Sequence, residues 1–135
     1  MATFPTGCTM IFGGSGGIGQ GIARTFAAQG SDIAVICRTR REPAEAVAEQ
    51  ARAMGRRASV HAADATDPAL IAAAMDAAIA EHGRIHSVVW AAGPLVNQRY
   101  LSATPMDEWR HAFEVEVHGF LAVGQVALPH MREQG

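Results

Sequence analysis

The sequence predicts an α/β fold: a doubly wound parallel sheet with helices on both faces. Three observations predict it. Short apolar runs alternate with longer helix-like segments from one end of the chain to the other. The second run, Asp32–Cys37, is apolar almost without interruption, which suits a parallel strand covered on both sides. The first run, Cys8–Phe12, breaks into five glycines within residues 13–19, and a helical pattern follows at once. A buried strand turns tightly into a helix in this way.

In chain order, Cys8–Phe12 is the first strand. Ile18, Ile22, Phe26 and Gln29 then mark a helix at 3.6-residue spacing, closed by Gly30. Asp32–Cys37 is the second strand. Residues 43–54 form a helix with Pro43 near its start and Gly55 after it. Residues 57–62 make a third, weaker strand. Asp67 caps an alanine-rich helix whose first residue is Pro68 and which ends near His82, before Gly83. Residues 85–91 are the fourth strand, stopped by Gly93-Pro94. A loop over 94–103 leads to Thr104-Pro105, read as cap and first residue of another helix. Its apolar stripe of Trp109, Ala112, Phe113, Phe120, Val123, Val126 and Ala127 runs toward the chain end, with a bend expected at Pro129. Right-handed crossovers give strand order 3-2-1-4 and three α/β/α layers, a Rossmann-type arrangement. Residues 1–135 are expected to form one dinucleotide-binding domain.

Chemistry concentrates at the strand ends. Gly14-Ser-Gly-Gly-Ile-Gly19 fits G-x-G-x-x-G, and Gly13-x-x-x-Gly17-Ile-Gly19 fits the related G-x-x-x-G-x-G spacing. Missing side chains let the backbone approach a pyrophosphate. The helix's first N–H groups and its dipole then attract the charge. Gly13, Ser15, Gly16, Gly17, Ile18 and Gly19 are therefore candidate cofactor contacts. Dinucleotide folds carry an acid at the tip of the second strand for a ribose hydroxyl, or a base for a 2′-phosphate. Here the tip reads Cys37-Arg38-Thr39-Arg40-Arg41, and the nearby acid, Asp32, lies at the other end of the strand. The guanidinium fork matches phosphate oxygens, so Arg38 and Thr39 point to NADP(H) over NAD(H). A solvated charged turn is the alternative. Asp64, with Ala65, follows the third strand and can accept from an adenine amino group. Ala91, Ala92 and Gly93 leave room for a ribose or nicotinamide.

The 135-residue chain is long enough to bury a core, and 49% of its residues are hydrophobic. A net charge of −2 and scattered arginines argue against nucleic acid or an anionic membrane as partner. Cys8 and Cys37 lie in strand-like runs and are expected to be reduced core residues. No apolar run approaches membrane-spanning length and no leader pattern opens the chain, so a cytoplasmic protein is expected. The six histidines show no metal or nucleophile–base spacing, and no metal site is expected. All eleven basic residues are Arg, and the chain has a single Tyr, Tyr100. Without a Lys, the G-x-x-x-x-G-K-[ST] loop of an ATPase or GTPase cannot form.

Taken together, the Gly13–Gly19 loop, Arg38, Asp64, Ala91-Ala92-Gly93, Trp109 and the stretch from Gly119-Phe120 to Leu128-Pro129-His130-Met131 resemble the N-terminal half of a short-chain dehydrogenase/reductase. That resemblance implies hydride transfer between NADP(H) and a carbonyl or alcohol substrate, and a homo-oligomer built through the terminal long helix. It implies an NADP-preferring position at Arg38 and adenine contacts at Asp64 and Ala65. The sequence departs from the family in places. Phe12 stands where Thr is usual, Trp90-Ala91-Ala92-Gly93 replaces Asn-Asn-Ala-Gly, and Glu116 takes the place of the relay asparagine. Glu116, within the apolar stripe, is the candidate catalytic residue. The family's Ser and Tyr-x-x-x-Lys lie beyond the residues matched. An open strand edge and an unmatched apolar helix face lead to the expectation of a longer enzyme. The rival is a dinucleotide-binding or interaction protein without catalysis.

Overall fold

A computed structural model describes residues 4–135. Four parallel strands, β1 (Cys8–Phe12), β2 (Asp32–Cys37), β3 (Ala58–Ala62) and β4 (Ile85–Trp90), lie in the order β3-β2-β1-β4. Helices α1 (Gly17–Ala28), α2 (Arg41–Ala53) and α3 (Pro68–His82) make the crossovers. After β4 come a 3-10 turn (Leu101–Ala103), α4 (Met106–Phe113), a π-helical turn (Glu114–Gly119) and α5 (Phe120–Glu133).

The two-residue period of the strands sorts their side chains into two cores. Met10, Phe12, Ala34 and Ile36 face one way, onto Ile71, Ala74, Met75 and Ala78 of α3 and Val123 and Ala127 of α5. Ile11, Ile33, Val35 and Cys37 face the other way, onto Ala23 and Ala27 of α1 and Ala44, Val47 and Ala51 of α2. Both faces of β2 are thus covered, which is why its sequence lacks polar alternation. Small residues on the helices let them lie close to the sheet. The larger strand residues fill the gap, and each fully buried Ile contributes about 2 kcal/mol.

Several boundaries move. The second helix begins at Arg41, so Pro43 is its third residue. The expected Thr104 cap is not made. Pro105 is the N-cap residue of α4, and the Thr104 hydroxyl instead donates to the Tyr100 carbonyl at 3.1 Å. The bend expected at Pro129 does not interrupt α5, which stays helical through it. The missing N–H falls near the helix end, and Pro129 and Gln125, whose carbonyl loses that donor, are both exposed. Asp67 does cap α3, accepting from the Ala69 and Leu70 amides, and Gly83 closes the helix at φ 79°. The apolar stripe is only partly covered. Val123 and Ala127 are buried, while Trp109, Phe113 and Phe120 are about half exposed.

Two of the histidines share a hydroxyl partner. At the amino end of the sheet, Ser59 Oγ lies 2.8 Å from His61 Nε2 and 2.9 Å from His82 Nε2. Arg57 donates from Nε to Asp32 Oδ2 at 2.9 Å and from its two Nη atoms to the Glu81 and His82 carbonyls. It thereby ties β2, β3 and the end of α3 together. Asp32, Arg57 and Ser59 stand at the amino ends of β2 and β3, and His61, one residue from the end of β3, turns back toward them to bond Ser59. Burial also pushes the Cys8 thiol up to about 12, keeping it protonated and unreactive.

Burial holds His61, His82 and His86 below the usual imidazole value. The folded chain then binds fewer protons than the unfolded chain between the lowered values and the unfolded value of about 6.5. Stability is therefore full above that value and declines as pH falls below it. Urea midpoints measured from pH 7.5 down to 5.5 are expected to fall, on a flatter slope in His82→Gln. An equal slope in both proteins would show that His82 does not carry the effect.

Candidate functional site

The strand order reverses between β1 and its neighbours β2 and β4, and the carboxyl ends of the strands open there into one cleft of ≈ 690 Å³. That size is ordinary for a small-molecule site. It sits where a doubly wound sheet binds ligands.

The glycine loop forms one wall. Gly13 has φ 75°, and its amide donates to the Ile36 carbonyl of β2 at 3.1 Å. A Cβ on Gly13 would lie 2.5 Å from the Ala91 carbonyl oxygen. Only a bare backbone fits where the ends of β1 and β4 pass each other. The Gly16 amide folds back onto the Gly13 carbonyl at 3.0 Å, and Gly16 is the N-cap of α1. The first-turn amides of α1, at Gly17, Ile18 and Gly19, have no carbonyl to bond within the helix. No acidic residue in that turn offsets the helix dipole. The end of α1 is thus a free anion-binding group of donors.

The candidate residues divide into two sets. Gly13, Ser15, Gly16, Arg38, Thr39, Asp64, Ala65, Ala91, Ala92 and Gly93 all line the cleft. Gly17, Ile18 and Gly19 do not. The Ile18 side chain is exposed, and Gly19 is buried against the Gly13 carbonyl, where a Cβ would overlap it. Gly19 therefore serves the seating of α1 beneath the loop.

At the tip of β2, Arg38 and Arg40 line the cleft. Arg41 turns back into α2 and pairs with Glu45 at 3.2 Å. Asp32 is held by Arg57 at the other end of the strand and takes no part. After β3, Asp64 Oδ1 accepts from the Thr66 amide at 3.0 Å and from its hydroxyl at 2.7 Å. These two bonds, with Arg38 and His111 adding smaller effects, hold the Asp64 carboxyl below the usual carboxylate range. Oδ2 is left to accept from a ligand.

Glu116 does not pack in the apolar stripe. It is exposed and belongs to the π-helical turn, whose extra residue per turn shifts the register between α4 and α5. Its Oε1 nonetheless lies 3.1 Å from the position a Cβ would take on Gly93, so the carboxylate reaches the end of β4.

Sequence reasoning missed Thr66, His111 and Val115 as cleft residues. His111 and Val115 are four residues apart and share a helical face, a signal that was present. The π-helical turn carried none. A second cleft of ≈ 550 Å³, between the loop after β4 and α4, adjoins the first and shares Pro94, Leu95 and His111 with it.

A sequence profile of the family described as short chain dehydrogenase matches residues 8–135. The chain belongs to the short-chain dehydrogenase family. It is 34% identical over 126 residues to a 3-oxoacyl-acyl-carrier-protein reductase from Aggregatibacter actinomycetemcomitans, covering 93% of this chain and 52% of that protein. It is 30% identical to the 7alpha-hydroxysteroid dehydrogenase of Escherichia coli strain K12, covering 95% of this chain and 49% of that one. Among solved structures, a short-chain type dehydrogenase/reductase from Mycobacterium ulcerans superposes with a TM-score of 0.88 at 27% identity, over 99% of this chain and 50% of that one. The chain spans about half the length of the curated relatives it matches. The Rossmann-type fold and strand order expected from the sequence are those of these short-chain dehydrogenases.

Gly13→Val places a branched side chain at positive φ against the Ala91 carbonyl. It is expected to lower unfolding stability by at least about 2 kcal/mol, read from urea denaturation. A midpoint equal to that of the wild type would show that the two strand ends can separate.

Proposed function

We propose that this chain is the cofactor-binding part of an oxidoreductase that moves hydride between NADP(H) and a carbonyl or alcohol substrate. The observation that carries this reading is the meeting of the glycine loop, Arg38 and Asp64 in one cleft. The residues fit the cofactor. The Gly13–Gly19 turn has no room for a Cβ at Gly13 and presents free helix amides to a pyrophosphate. Two guanidinium groups, Arg38 and Arg40, stand where a 2′-phosphate would fall, and Thr39 lies between them. Asp64 Oδ2, left open beside Ala65, would accept from an adenine amino group. Ala91, Ala92 and Gly93 line the path toward the nicotinamide half. When bound, the nicotinamide supplies the hydride chemistry, and the protein aims it.

Glu116 is proposed as a positioning residue. Its carboxylate, against Gly93, fixes the backbone at the end of β4 and brings a negative charge to that end of the cleft. A second reading, dinucleotide binding without catalysis, draws on the absence of Lys and on Tyr100. Tyr100 is 87% exposed in the loop and is followed four residues later by Thr104. These residues supply the cofactor wall and not an acid–base pair. The same proposal places the protein in the cytoplasm as a homo-oligomer. Self-association would cover Phe113, Val117, Phe120 and Leu121, which are exposed on the helices after β4.

Arg38→Ala is expected to weaken NADPH binding at least about tenfold and to change NADH binding less than about twofold, measured by fluorescence titration. Wild-type affinity for NADH equal to or above that for NADPH rejects the 2′-phosphate assignment.

A further inference from the structure

Two clefts share one side chain that no sequence motif marks: His111, in the last turn of α4. It lines the main cleft together with Asp64, Ala65, Thr66 and Val115, and the glycine loop and Arg38 line the same cleft. It also lines the second cleft, with Trp109 and Ala112. Its charge is close enough to Asp64 to act on that carboxyl, after the Thr66 hydrogen bonds and Arg38. The other histidines with close polar partners are engaged elsewhere. His61 and His82 share Ser59, His86 contacts Ser31, and His118 bonds Glu114 at 2.8 Å. The His111 residue is exposed at the cleft rim.

Position and chemistry combine. Asp64 offers a carboxylate oxygen for the edge of a base, and Arg38 offers a guanidinium for a phosphate. What those two leave uncovered is the face of a flat, aromatic ring lying between them. An imidazole entering from the α4 wall is a planar group of the size and polarity to cover such a face. The π-helical turn that begins at Glu114 directly follows this last turn of α4. Such turns are found most often at functional sites, where they re-aim the neighbouring side chains.

We propose that His111 is a cofactor-binding residue whose imidazole packs against the adenine ring, closing from α4 the end of the cleft that Asp64 and Arg38 open. The inference rests on the dinucleotide reading above. It adds a contact from the segment after β4 to a site otherwise built by the first three strand ends. Because His111, Pro94 and Leu95 wall both clefts, the adenine end and the second cleft share a partition.

The test is calorimetric titration of the full chain with adenosine 2′,5′-bisphosphate, which carries the adenine half alone, and with nicotinamide mononucleotide, which carries the other half. His111→Ala is expected to weaken the adenine probe about fivefold and to leave the nicotinamide probe unchanged. His111→Phe, which keeps a ring, is expected to bind the adenine probe within about twofold of the wild type. His111 is exposed, so unaltered thermal midpoints are expected for both variants. Unchanged adenine-probe affinity in His111→Ala overturns this inference and leaves the dinucleotide reading standing. An equal loss in the Ala and Phe variants overturns the ring contact. A wild-type chain that binds neither probe overturns the dinucleotide reading and this inference with it.

Discussion

The site depends on one close passage of backbone past backbone, Gly13 against Ala91. The end of β1 must cross in front of the end of β4 for the cleft to exist, and the loop must then turn back into α1. A side chain at Gly13 would occupy the space of the Ala91 carbonyl. The same residue donates its amide to Ile36 in β2. One bare backbone unit thus brings β1, β2 and β4 together at their carboxyl ends. The anion-binding amides of α1, the Arg38 tip and the Ala91-Ala92-Gly93 segment all take their places relative to it.

The two ends of the sheet divide the work. At the amino end, Arg57 binds Asp32 and the last carbonyls of α3, and two histidines share the Ser59 hydroxyl. Most of these polar groups bond one another, which ties that end of the sheet together. At the carboxyl end the balance is reversed. Two arginines and one carboxylate oxygen stand at the cleft without mutual pairing, and the open first turn of α1 begins beside it at Gly16. Unpaired donors on one rigid frame favour a charged ligand, because little reorganisation is needed on binding.

Much of this was legible in the sequence, for identifiable reasons. The glycine spacing at 13–19 is readable because few other uses of five close glycines follow a strand and open a helix. Asp67-Pro68 is readable because a cap is made within three residues. Local signals misled where a residue had a competing local partner. Thr104 bonds the Tyr100 carbonyl instead of capping α4, and Arg41 joins Glu45 instead of the Arg38 tip. Ile18 and Gly19 satisfy the motif, yet one side chain faces solvent and the other position is taken up by loop packing. A motif records backbone geometry and does not say which of its members touch the ligand.

The sequence by itself determined the layer architecture, the strand order and the location of the glycine turn. These follow from periodicity, from the absence of side chains and from the handedness of the chain, all of which are local or universal. Tertiary structure alone decided that the helical segment after β4 shares the cleft with the strand ends. His111 and Val115 lie about fifty residues beyond Asp64 in sequence and reach the same wall through the packing of α5 on α3. The register of Glu116 was likewise set by a π-helical turn, which arises from that packing and leaves no pattern in the residues themselves.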